Sequence, residues 1–313
     1  MKHLHLPNTE LEVSQLAYGM GSFDGTIPLA DGLKLVEQYL DAGGNFLDTA
    51  HCYCFWTDGG TGSSERFVGE VVRAFGRDGL IIATKGGHHG MDGYPRPDDF
   101  LLPELVRQDL HQSLDRLGLP SVDLYFLHRD DPRVPVAEII DSCNGVVQSG
   151  QVRYLGVSNW TVERFVAANK YAHAKDLQPF VMLQNQWSLA QPTWHNENAP
   201  GAVRFIEDRE ISVLKAEQIA VAAYSSTANG YFATSVEHGK AFDSPNSRRR
   251  LAAARSIAES HHATPTQIAL AYLMNQPSLV IPIVGTRDAL HLAEALGSII
   301  IELSQEDLLE LIA

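Results

Sequence analysis

Eight short apolar runs recur along the chain: "QLAYGM", "NFLDTA", "GLIIATK", "VDLYFLH", "VRYLGVSN", "FVMLQNQW", "IAVAAYSS" and "LVIPIVG". Most are separated by a stretch of helical periodicity. This alternation limits the fold more than any other feature, because a strand followed by a helix brings the chain back for a parallel strand, and parallel strands need both faces covered. The segment from 103 to 120 shows how the helices are punctuated. Pro103 suits a first turn, Val106, Leu110, Leu114 and Leu117 fall on one stripe, and Gly118 with Pro120 ends it. Val136, Ile139, Ile140, Cys143 and Val147 form a second apolar face that stops at Gly150, directly before "VRYLGVSN". Eight such units predict an α/β fold of the (β/α)₈ TIM-barrel type, with a doubly wound open sheet as the alternative. Residues 1–13, with "PNTE" between two short alternating stretches, read as a β-hairpin that closes the bottom of the barrel.

No Pro/Ser/Gly-rich linker divides the 313 residues, so one domain spanning 1–313 is expected. Twenty-four Lys plus Arg against 38 Asp plus Glu give a formal charge of −14, which repels phosphate backbones and argues against a nucleic-acid partner. A small neutral or polar ligand fits better. Neither a secretory leader nor an apolar run of 18 residues is present, and the expectation is a soluble, cytoplasmic protein with no membrane partner and a chain that stops directly after its last helix. Cys52, Cys54 and Cys143 are odd in number and lack CxxC spacing, which predicts a reducing compartment, no disulfide framework and no metal site.

In a (β/α)₈ barrel the C-terminal ends of the strands meet at one mouth, so polar residues there share a site however far apart they lie in sequence. Asp48 ends "FLD", Lys85 ends "IIATK", His128 ends "LYFLH", and Tyr53 lies just past Asp48. Singly, each has a structural explanation: a loop cap, a snorkelling chain, a core histidine, a rim tyrosine. Together they suit proton delivery to a carbonyl oxygen as a hydride reaches the carbon. A phenol is a poor proton carrier at neutral pH unless an ammonium stabilises its phenolate, which Lys85 can do, and a buried ammonium needs a counter-ion, which Asp48 supplies. His128 would polarise the carbonyl as a hydrogen-bond donor.

"FLDTAHCY", "IATK", "LYFLH", "GVSNW", the glutamine of "MLQNQW", "AAYSS" and "IPIVGTR" stand in the order and at the strand positions found in the aldo-keto reductases, and the resemblance covers essentially the whole chain. It implies an NAD(P)H-dependent oxidoreductase with Tyr53, Asp48, Lys85 and His128 as catalytic tetrad. It further implies that Ser158, Asn159 and Gln184 hold the nicotinamide carboxamide and that Tyr224 stacks on the ring. Ser225 and the 225–230 loop would approach the pyrophosphate, while Gly285, Thr286, Arg287 and Glu294 would meet the adenosine end. NADP(H) is favoured, with NAD(H) possible, and the family's extended dinucleotide needs no GxGxxG fingerprint. This chain departs from the pattern at Ile283 and Val284, where Lys or Ser is frequent, at Ala295, where Asn is frequent, and in the long "CFWTDGGTGS" loop before the helix that begins near Ser64.

The leading function is therefore reduction of an aldehyde, ketone or sugar-derived carbonyl, or the reverse, with Tyr53 as general acid or base, in a monomer or homo-oligomer. One alternative is a cofactor-holding regulatory subunit that turns over slowly. Another is a metal-dependent hydrolase built on Asp48, His51 and His128. Phe55 and Trp56 after Tyr53, with Trp187 and Trp194 in "WSLAQPTWHNEN" (187–198), supply aromatic faces among polar groups and suit a polyhydroxylated substrate. Packing of the loops is their bland explanation.

Overall fold

The computed structural model describes residues 1–233 and 239–313, and eight parallel strands in it close into a barrel. After the hairpin strands β1 (His3–His5) and β2 (Glu12–Ser14), the staves run in chain order: β3 (Ala17–Gly19), β4 (Phe46–Asp48), β5 (Ile81–Gly86), β6 (Val122–Leu127), β7 (Val152–Ser158), β8 (Phe180–Gln186), β9 (Ala220–Tyr224) and β10 (Val280–Val284). The ring shuts where Ile283 and Val284 pair with Ala17 and Tyr18. Ile283 and Val284 thus end the last strand and do not follow it.

Helices α1 (Leu29–Asp41), α2 (Ser63–Phe75), α3 (Pro103–Leu117), α4 (Val136–Gln148) and α5 (Val162–Ala174) fill the first five connections. The β8–β9 connection carries a long loop and only the short α6 (Ile211–Ala216). Between β9 and β10 lie α7 (Pro245–Ser260) and α8 (Pro265–Met274), and α9 (Ala289–Gly297) and α10 (Gln305–Ile312) close the chain. The punctuation works as the spacing predicts: Pro103 starts α3, and Gly118 caps it in the left-handed region at φ 66°. Among the described residues no helix is long and apolar enough to cross a membrane.

The two-residue period of a strand divides the barrel into an inside and an outside. Phe46, Ile81, Ala83, Leu124, Phe126, Met182, Ala220, Ala222 and Ile281 share the inner core. Leu47, Ile82, Tyr125, Leu183 and Val221 face outward and pack with the helices. Leu6, Leu11 and Val13 of the hairpin join the inner cluster, so the hairpin seals the N-terminal end. Continuing the inward parity along each strand leads to Asp48, Lys85, Ser158, Gln184 and Tyr224, which places the polar residues as the uppermost inward layer of a packed core.

Inner packing is tight enough to require glycine. A Cβ at Gly156 would stand 2.4 Å from the Phe126 ring and 3.0 Å from the Met182 carbonyl. Gly156→Ala is therefore expected to destabilise by about 1–3 kcal/mol through overpacking. At Gly145, inside α4, a Cβ meets nothing within 4 Å, and Gly145→Ala should stabilise by roughly 0.5–1 kcal/mol. Chemical denaturation midpoints of the two variants, expected on opposite sides of the parent, check both.

Candidate active site

The polar strand-end residues converge on the buried Lys85. Its Nζ donates to Asp48 Oδ2 at 2.7 Å, to the Thr49 carbonyl at 2.8 Å and to the Tyr53 hydroxyl at 2.9 Å. All three ammonium protons are thereby used. Gln184 Nε2 donates to the other Asp48 oxygen at 2.9 Å. Burial alone would pull the Lys85 pKa down, but the Asp48 charge and Tyr53 outweigh it and hold it above its ordinary value.

At Tyr53 the Lys85 ammonium acts in the expected direction, lowering the pKa, but burial is the larger cause. Burial pushes the phenol up to about 12, and the nearby Lys85 charge opposes this without winning. The phenolate loses more hydration than one ammonium restores. Because Lys85 can only donate, the Tyr53 oxygen accepts, and its own O–H is left without a protein acceptor among the described residues.

The loop bearing Tyr53 is anchored from several sides. Thr49 Oγ1 lies 2.7 Å from Ser64 Oγ, and Arg116 donates to the His51 carbonyl at 2.9 Å and to Glu65 at 3.0 Å. The His51 ring is spent on the Tyr94 hydroxyl and Gln112 Oε1, each at 2.7 Å, which removes it from any metal set with Asp48 and His128. Cys54, Asn159 and Ser225 have φ values of 67°, 63° and 51°. Each directly follows an expected site residue, and such strained left-handed positions cluster where a site is held in place.

His128 is buried, with its ring 5.7 Å from that of Tyr53 and its Nδ1 3.3 Å from Cys52 Sγ. Burial, then the neighbouring His88, Lys85 and Arg129, holds the imidazole well below the usual range, while burial raises the Cys52 thiol to about 12. Both groups are neutral, and sulfur is a poor acceptor, so the thiol donates to Nδ1 and the ring proton sits on Nε2. Nε2 has no protein partner among the described residues and is free to donate to a ligand. Cys52, His88 and His128 also bring their ligand atoms within 4.8 Å of one another. However, His88 Nδ1 meets the His89 carbonyl at 2.8 Å and its Nε2 accepts from Arg129 Nε at 3.1 Å, so a guanidinium already occupies the remaining lone pair.

A cleft of about 960 Å³ opens beside Tyr53 and Asp48. Tyr224, Ser225, Gly285, Thr286 and Glu294 line it, as does Ile283. Ser22, Thr227 and Thr266 also line it, and a cleft of this size lined by hydroxyl-bearing residues fits a polar dinucleotide. Ser158, Asn159 and Gln184 are buried and not among its lining residues, and two of them are tied to residues that are: Gln184 to Asp48, and Asn159, whose Nδ2 donates to the His128 carbonyl, to Tyr224, from which its Oδ1 accepts at 2.6 Å. Arg287 is not among the lining residues. Its Nη1 reaches Asp24 at 3.0 Å and Thr26 at 2.8 Å instead.

The aromatic residues divide. Trp56 is 61% exposed and lines the cleft, with Phe55 packed against it at 5.1 Å. Trp187 is 2% exposed in the main core, and Trp194 packs edge-on to Phe205 at 5.1 Å outside the cleft. For these two, loop packing is the correct reading. Conversely, Cys52, His88, Arg129 and Thr266 were not singled out for the site, although Arg129 directly follows "LYFLH" and Thr266 stands in the "TPTQ" that opens α8.

The Cys52 contact generates a prediction. Cys52→Ala should free Nδ1 to take the ring proton and so deprive Nε2 of it, and Cys52→Ser should restore most of the Nε2-protonated form. Imidazole ¹⁵N shifts report the tautomer directly. Equal losses in both variants would show that the thiol only fills space.

Residues 15–312 match the model of the Aldo/keto reductase family. The chain is 28% identical over 96% of its length to a probable aldo-keto reductase of Glycine max, covering 85% of that protein. It is 31% identical to a 6-dehydroglucose reductase of Novosphingobium aromaticivorans, over 96% of this chain and 91% of that one. An NADP(+) aryl-alcohol dehydrogenase of Phanerodontia chrysosporium is 28% identical, over 93% and 76% of the two chains. A thermostable aldo-keto reductase solved with the inhibitor epalrestat shares the fold at a TM-score of 0.76, with 23% identity over 99% of this chain and 98% of that one. With the family match spanning nearly every residue from β3 to α10, the chain belongs to the aldo/keto reductase family of oxidoreductases.

Proposed function

We propose that the protein reduces a carbonyl on a small polyhydroxylated molecule, with NADP(H) as the dinucleotide and Tyr53 as the proton donor. The observation that carries this reading is the buried ammonium of Lys85, which joins Asp48 to the Tyr53 oxygen at 2.7 and 2.9 Å. When bound, the dinucleotide supplies a hydride to the carbonyl carbon. Tyr53 delivers its proton to the carbonyl oxygen as the C–O π bond breaks, and Lys85 stabilises the phenolate that remains. His128 donates from Nε2 to the same oxygen and orients it. Asp48 keeps Lys85 charged and, through Gln184, fixes the floor of the site. Ser158, Asn159, Gln184 and Tyr224 would hold the nicotinamide end, Ser225 the middle, and Gly285, Thr286 and Glu294 the adenosine end.

A phenol raised to about 12 stays protonated across neutral pH, which favours reduction; in the oxidative direction the phenol must first lose that proton, so the rate should climb as pH rises towards the phenol's pKa. Tyr53→Phe is expected to lower kcat for reduction by on the order of 10² to 10⁴ while dinucleotide affinity, followed by fluorescence, stays close to that of the parent. Near-parent turnover by the variant would exclude Tyr53 as the acid.

The sugar-like substrate class is supported by the exposed Trp56 face on the cleft and by the name of the Novosphingobium relative, a 6-dehydroglucose reductase. The NADP(H) preference is supported by the NADP(+) in the name of the Phanerodontia relative and by Arg287, next to the cleft-lining Thr286. The pair of Arg287 with Asp24 is partly exposed and contributes about 0–1 kcal/mol, less than the roughly 1.5–3 kcal/mol of a charge-assisted bond to a 2'-phosphate, so the phosphate can take the guanidinium. Arg287→Ala should reduce the ratio of NADPH to NADH affinity about tenfold, and Asp24→Asn should raise it. Titrations of both dinucleotides by fluorescence quenching decide the matter; an unchanged ratio in Arg287→Ala would remove the assignment.

A further inference from the structure

We propose that Arg129 anchors a carboxylate on the substrate, so that the carbonyl compound is an oxo acid or an acidic sugar; this rests on the carbonyl-reducing reading above. Arg129 follows His128 at the end of β6 and is half-buried. Its Nε donates to His88 Nε2 at 3.1 Å, and the His88 ring stands edge-on at 4.8 Å from that of His128. On the opposite side its charge and a side-chain hydrogen bond act on the Tyr224 hydroxyl at the end of β9, which itself donates to Asn159. The cation therefore lies over the barrel mouth, between the β5 and β9 ends, next to the group that would orient the carbonyl.

Among the described residues it has no counter-charge. Asp130 is engaged by Arg164 at 2.9 Å, Asp131 by Arg133 at 2.6 Å, Asp48 by Lys85 at 2.7 Å, and Asp109 by Arg96. Among the described residues no carboxylate forms an ion pair with Arg129. His88, held at about 3 by burial and then by the Arg129 charge, offers a lone pair and no charge.

The dinucleotide does not answer this charge either. Its cleft is lined by Ser22, Ser225, Thr286 and Glu294, and Arg129 is not part of that lining. A half-buried guanidinium without an anion is costly, whereas the planar N–H donors that it does not turn to His88 and Tyr224 can pair with a carboxylate. In a chain of net charge −14, this concentrates positive potential where a small molecule would meet Tyr53 and His128. A neutral polyol would satisfy the hydrogen bonds and leave the charge unmatched.

The test is steady-state kcat/KM for matched pairs: succinate semialdehyde against butanal, and D-glucuronate against D-glucose, corrected for open-chain fraction. The parent is expected to favour the carboxylated member of at least one pair by on the order of 10 to 10², and the responding pair separates a simple oxo acid from an acidic sugar. Arg129→Gln should lose that preference through a higher KM for the acid, and Arg129→Lys should keep part of it. Equal treatment of both members by the parent, or a preference that survives in Arg129→Gln, overturns the assignment. The parent ratio needs no variant, so a poorly folding Arg129→Gln leaves the test intact. Reduction of none of the four compounds would count against the carbonyl-reducing reading itself, and the assignment would fall with it.

Discussion

A buried ammonium and a buried carboxylate at 2.7 Å, Lys85 and Asp48, set the terms for everything around them. Taking either ion out of water costs several kcal/mol, and their mutual attraction offsets this only where the remaining protons and lone pairs are also satisfied. Here the Thr49 carbonyl, the Tyr53 oxygen and Gln184 complete the set. The arrangement also depends on register. Lys85 shares the inward parity of Ile81 and Ala83, so a one-residue slip of β5 would point Thr84 and Ile82 into the barrel and send the ammonium outward among the helices.

Around that pair the site is built from neutral groups. Burial raises Tyr53 and Cys52 and lowers His88 and His128, so four titratable side chains within one mouth stand uncharged at neutral pH. Neutrality fixes proton positions: with the thiol proton on the bond to Nδ1 and the imidazole proton on Nε2, donors face the ligand without competing charges. The same low-dielectric surroundings that suppress ionisation strengthen each remaining hydrogen bond and make the Arg129 charge conspicuous.

The barrel was legible because apolar strand runs alternate with amphipathic helical stretches, some of them punctuated as clearly as α3 is by Pro103 and Gly118. Asp48 and Lys85 were legible for the complementary reason that a charge at the end of an otherwise apolar strand has no ordinary explanation in pairs. Loop side chains were not. Trp187 and Trp56 carry the same local signal, yet one is buried and the other exposed, because tertiary packing of the long loops, and no local period, decides their direction. The partner of Arg287, Asp24, lies 263 residues away, and the Cys52–His128 contact spans 76, so neither pairing is written in any local pattern. That burial outweighs Lys85 at Tyr53 was not legible, because desolvation has no signature in sequence.

The hairpin that packs Leu6, Leu11 and Val13 against the inner core closes the N-terminal end of the barrel, and the side-chain layers above it fill the interior, so a small molecule reaches the strand-end residues from the C-terminal mouth. A molecule held there rests on that filled interior, so its approach is set by the loops at the mouth and its floor by side chains that also hold the barrel together.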